Sequence, residues 1–103
     1  MTKENNIRVV YKAPGAAAEV REVPNTLKAF QEAVGGFIET VTLEDVVVIC
    51  NEDGRWMGLA HNCKLCGVDF VGPILIAGVG NCKFASLSED AAEYWIGVIK
   101  RGM

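Results

Sequence analysis

The run Val46-Val47-Val48-Ile49-Cys50 has no polar side. A strand that is apolar in both directions cannot lie against water. It reads as the central strand of a sheet, and the rest of the chain must supply what surrounds it.

Segments of period two flank that run. Ile7, Val9 and Tyr11 alternate with Arg8, Val10 and Lys12, and after Ala13-Pro14-Gly15-Ala16 the alternation resumes with Ala18 and Val20 against Glu19 and Arg21. This predicts a β-hairpin with a Pro-Gly-containing loop. Phe37 to Thr42 is again rich in β-formers. After a turn at Asn51-Glu52-Asp53-Gly54, Arg55 to Leu59 is expected as a returning edge strand and Ala60 to Asp69 as a loop. Phe70 to Ala77 is expected as a further strand, in which Pro73 requires an edge, a bulge or a strand start.

Two stretches carry helical spacing instead. Pro24-Asn25-Thr26 offers capping chemistry, and Leu27, Phe30, Ala33 and Val34 recur on one side before Gly35-Gly36, which predicts a short helix over 26–34. Ser86-Leu87-Ser88-Glu89 matches a capping box, and Ala91, Ala92, Trp95, Ile96 and Ile99 form a stripe opposite Glu89, Asp90, Glu93 and Lys100. The order β-β-α-β-β, a loop, one or two strands, then α predicts an α+β domain over residues 1–103. In it two helices pack on a mostly antiparallel or mixed β-sheet. At 103 residues, half of them apolar, the chain supports one small core.

Charge excludes more than it suggests. Thirteen acidic and ten basic residues leave a net charge of −3, and only Lys100 and Arg101 are adjacent among the basic ones. No basic stripe exists to track a phosphate backbone, so direct nucleic-acid binding is not expected. The acidic residues fall in isolated pairs, Glu44-Asp45, Glu52-Asp53 and Glu89-Asp90, which do not mimic a polyanion. The first residues are polar, with no signal-like apolar segment. The longest nearly uncharged apolar run, Phe70 to Gly80, is too short for a bilayer. A cytoplasmic protein with its four thiols reduced is the expectation.

Two candidate sites follow from the residues. The first is His61-Asn62-Cys63-Lys64-Leu65-Cys66, an H-x-C-x-x-C run whose thiolates have the spacing to grip one tetrahedral zinc. Its ligands would be Cys63, Cys66, Cys82 and either His61 or Cys50, although Cys82 lacks the x-x-Cys partner of paired zinc signatures. A redox role wants a helix after the pair, where Gly67 and strand-like residues follow. The second site is a binding surface at the turn: Arg55, Trp56 and Met57 with Glu52, Asp53, His61 and Asn62. Trp and Arg are favoured interface anchors, and the competing reading turns Trp56 inward on an edge strand. Gly78-Val79-Gly80 lacks the third glycine and the helix of a phosphate loop. No residue stands out as catalytic, and an enzyme is not expected; the alternative to a protein-binding role is a small-ligand sponge or a zinc-binding structural module using the His61, Cys63 and Cys66 loop.

The whole pattern resembles a known family. The segments carrying the resemblance are Val9 to Gly15, Val20 to Thr26, Val34 to Val41, Asn51 to Arg55, Gly58 to Asn62, Val71 to Ile76 and Phe84 to Leu87. They are similar to small domain-of-unknown-function proteins carried by phages and mobile elements of gut bacteria. The resemblance implies a protein that acts in the bacterial host cytoplasm by protein–protein contact. A stoichiometric inhibitor of a host-defence protein such as an RNA-guided nuclease, of anti-CRISPR or antirestriction type, fits that setting, as a monomer or a homodimer. It also implies that the Asn of a G-L-x-x-N segment, here Asn62, is the family's most characteristic polar position. Where the family continues with basic residues this chain has Cys63 to Gly67, so a metal would be an addition peculiar to this chain and not a requirement of the fold.

Overall fold

The computed structural model of the protein describes residues 6–80 and 84–102. Strands β1 (Asn6–Lys12) and β2 (Glu19–Pro24) form the predicted hairpin, paired from Asn6↔Pro24 to Tyr11↔Glu19. Helix α1 (Leu27–Val34) follows. Thr26 caps it, its hydroxyl accepting from the Ala29 N–H, and Gly35 ends it in the left-handed conformation at φ 81° that glycine adopts without cost.

Strands β3 (Ile38–Leu43) and β4 (Val46–Asn51) pair antiparallel around the tight turn at Glu44-Asp45. Every residue of β4 is buried, as its unbroken apolar run demands. Its two neighbours are β3 and β7 (Ile74–Val79), and the main sheet runs β2-β1-β7-β4-β3 with antiparallel pairing throughout. The short β8 (Phe84–Ala85) pairs with β7 beyond that path. Gly78 is required there by close packing, since a Cβ would stand 3.1 Å from the Ala85 carbonyl oxygen. Gly78 thus lies within β7 and not in a turn, and packing accounts for it without a phosphate.

Both faces of the sheet are covered. On one, Phe30 and Val34 of α1 pack on Ile7, Val9, Val47, Ile49, Leu75 and Ala77, with Phe84 edge-on to Phe30 at 5.1 Å. On the other, helix α2 (Glu89–Gly102) buries Ala92, Trp95 and Ile99 against Val10, Val48, Ile74 and Ile76. Full burial of each such large side chain contributes about 1.5–3 kcal/mol. The result is the α+β class that the sequence predicts.

Four expectations need correction. Residues 60–69 are not a loop: β5 (His61–Leu65) and β6 (Val68–Val71) make a second, two-stranded sheet. Its turn is Cys66-Gly67, with φ of 50° and 83°, the positive pair that a tight hairpin turn needs. Arg55 to Leu59 does not return as an edge strand, because residues 52–58 are consecutive turns. Phe70 to Ala77 is split between β6 and β7, where Gly72 turns at φ 74° and Pro73 has no N–H to continue a ladder. Lastly, Ser88 and not Ser86 caps α2, accepting from the Ala91 N–H. Ser86 instead accepts from the Arg8 N–H of β1.

Candidate functional site

Helix α2 and the β5–β6 hairpin share one face of the sheet, and they leave its β3 side open. A cleft of about 250 Å³ lies there, floored by Val41 and Cys50 of the sheet and walled by Val68 and Phe70 of the hairpin. Its rim is the loop between β4 and β5, which contributes Glu52, Arg55 and Trp56. Glu39 enters because the β3–β4 register places it opposite Cys50.

The loop is held by its own backbone. Gly54 N–H donates to the Asn51 carbonyl, Met57 N–H to Asp53, Gly58 N–H to Arg55 and Leu59 N–H to Gly54, at 2.9–3.2 Å. Asn51 anchors its start from a buried position: Oδ1 accepts from the Asp53 N–H at 2.7 Å, and Nδ2 donates to the last carbonyl of α1, that of Val34, at 3.0 Å. The far side is fixed to the hairpin, where Arg55 Nη2 donates to the Asp69 carbonyl at 2.8 Å. Gly54 lies flat against the hairpin as well, since a Cβ would meet Val71 Cγ2 at 2.9 Å.

On this frame Trp56 is 92% exposed and Met57 56% exposed. The inward reading of Trp56 therefore fails, because the edge strand that would have turned it inward does not form. Arg55, Glu52 and Asp53 are exposed beside it. His61 is also exposed, with Nε2 3.4 Å from Asp69 Oδ1. Asn62 is different: it is buried, and its side chain is occupied by Lys12 and by the Gly72 carbonyl. It fastens β5 to β1 and leaves nothing to offer a partner.

The thiols divide in the same way. Burial pushes the Cys50 thiol up to about 11; the Glu39 carboxylate adds to the rise and the Arg55 guanidinium opposes it. Cys50 at the cleft floor is thus a neutral, unreactive surface at pH 7, with Sγ 3.6 Å from the Glu39 carbonyl. Cys63 is buried in the core and its thiol is likewise raised by burial, against the pull of Lys12. Cys66 sits exposed at the hairpin turn. Among the described residues no three His, Cys, Asp or Glu side chains gather as a metal-ligand group. The register shift between His61 and Cys63 leaves His61 exposed and Cys63 buried, Cys66 is exposed at the turn, and Cys82 lies outside the described residues.

Sequence reasoning found the loop residues of this site, missed Glu39 and Asp69, and offered Cys50 only as an alternative metal ligand. The signal for Glu39 was present in the Glu44-Asp45 turn: once the turn is set, counting back along both strands places Glu39 beside Cys50. Among the described residues no helix is long and apolar enough to cross a membrane. No curated protein and no solved structure matches the chain. Residues 7–100, from the first buried position of β1 into the last turn of α2, match a family described as a domain of unknown function, DUF3846, and the chain belongs to that family.

Proposed function

We propose that this protein acts by binding another protein, with the Trp56 loop and its cleft as the contact surface and no catalysis of its own. The observation that carries the reading is Trp56, 92% exposed on a loop fixed by backbone hydrogen bonds. Because the loop backbone is already ordered, covering this side chain costs only its own rotamer freedom, and tryptophan is among the residues enriched as interface anchors. The cleft beside it, at about 250 Å³, is below the usual range for a whole small-molecule ligand and suits an inserted side chain. The net charge of −3 favours a protein partner over a nucleic acid.

The setting rests on the family resemblance: a phage or mobile-element protein in the host cytoplasm, acting stoichiometrically on a defence protein such as an RNA-guided nuclease. Affinity capture from host lysate with the wild-type protein and with Trp56→Ala tests it. The wild type retains a partner in stoichiometric amount and blocks that partner's activity, and the folded variant does neither. Equal capture and equal inhibition by Trp56→Ala would remove the loop from the contact.

A further inference from the structure

We propose that the cleft beneath Trp56 receives an arginine side chain of the bound protein. The inference rests on the binding function above and specifies the chemistry of the partner. Glu39, Glu52 and Asp69 line the cleft against a single guanidinium, that of Arg55, and among the described residues only the Asp69 carboxylate of the three has a partner, His61 Nε2 at 3.4 Å. Arg55 spends a donor on the Asp69 backbone carbonyl, and among the described residues neither Glu39 nor Glu52 is ion-paired. The cleft therefore presents surplus negative charge beside an apolar floor of Val41, Val68, Phe70 and the neutral Cys50 thiol.

A guanidinium on its methylene stem fits both halves of that lining. The stem lies along the apolar floor, the planar head stacks on the free Trp56 indole, and its fork of N–H donors reaches the Glu39 and Glu52 carboxylates. A lysine ammonium is compact and strongly hydrated and exploits neither the plane nor the fork. An acidic or phosphorylated side chain meets like charge. Arginine is also enriched at the centres of interfaces, where it pairs with aromatic anchors.

The test uses N-acetyl-arginine-amide as probe, followed by amide and indole N–H shifts in NMR, with the neutral isostere N-acetyl-citrulline-amide as control. The arginine probe gives saturable shifts at the Trp56 indole and at the Val68 and Phe70 amides, and citrulline does not. Glu39→Gln with Glu52→Gln weakens that binding about tenfold, as does raising the salt. Shifts that citrulline reproduces, or arginine shifts that avoid the cleft, overturn the proposal. Partner capture separates it from the binding function. Loss in Trp56→Ala with full retention in the Glu39→Gln, Glu52→Gln variant overturns the arginine contact alone, whereas retention in both overturns the binding surface as well.

Discussion

Lys12 and Asn62 exchange hydrogen bonds in the interior: Lys12 Nζ donates to Asn62 Oδ1 at 2.9 Å, and Asn62 Nδ2 donates to the Lys12 carbonyl at 2.8 Å. Lys12 is 1% exposed, and among the described residues no carboxylate pairs with it; the Ala13 carbonyl, at 3.3 Å, is a further acceptor. Asn62 Nδ2 also donates to the Gly72 carbonyl at 2.7 Å. One side chain thus joins β1, β5 and the β6–β7 connection.

The two partners are not equivalent, and their substitution separates them. Asn62→Leu removes the closest acceptor of a buried amine and the donor to two backbone carbonyls, and should cost about 3–5 kcal/mol. Lys12→Met takes the amine donor from Asn62 Oδ1 and, at longer range, from the Ala13 and Asn62 carbonyls, leaves no unpaired charge, and should cost about 1–2 kcal/mol. Urea unfolding of both, and of the double variant, measures this. The second substitution should add little or recover stability once Asn62 is gone, and equal costs that simply add would contradict the network.

Cys50 ties stability to alkaline pH. Its thiol ionises near 9.0 in an unfolded chain and at about 11 in the folded one, first because burial disfavours the thiolate and then because of Glu39. The unfolded state therefore releases this proton first as pH rises. The contribution is whole below pH 9 and is lost between pH 9 and 11, a fall on the order of 2 kcal/mol. Cys63, raised in the same direction, adds to it. Melting curves of wild type and Cys50→Ser across that interval should converge at high pH. A constant gap would show that Cys50 does not titrate differently on folding.

Much of this architecture was legible because single residues carried it. Thr26 and Gly35 bounded α1, and the unbroken Val46–Cys50 run announced a strand covered on both sides. What escaped was decided by backbone conformation and register. Cys66-Gly67 reads as half of a metal motif, yet its positive φ pair makes it a hairpin turn. Asn62 looked like a surface polar residue because nothing in β5 alone reveals that Lys12, fifty positions earlier, lies buried beside it. The cleft is hidden for the same reason, since Glu39, Arg55 and Phe70 meet only through the pairing of separate strands.

The two serines before α2 have separate tasks that amide exchange can resolve. Ser88 accepts from the Ala91 N–H at 3.0 Å, so Ser88→Ala should cost about 1 kcal/mol and speed exchange at the first turn of α2. Ser86 accepts from the Arg8 N–H at 2.8 Å, and Ser86→Ala should instead expose the Arg8 amide and leave the helix start protected. Faster exchange in the first turn of α2 on Ser86→Ala would restore the capping box that the sequence suggested.

Trp56 and Trp95 are opposite cases of the same side chain, 92% and 1% exposed. Trp95→Ala empties a core position under α2 and should cost about 3–5 kcal/mol. Trp56→Ala removes a side chain that touches water and should leave stability within about 0.5 kcal/mol. Fluorescence checks the placement directly. Trp56→Phe leaves Trp95 as the sole indole, so emission should move to shorter wavelength and become resistant to acrylamide. Readily quenched emission from that variant would mean that α2 does not shield Trp95. Marked destabilisation by Trp56→Ala would mean that the loop depends on its tryptophan, and partner binding would then have to be tested with Trp56→Phe and Met57→Ala.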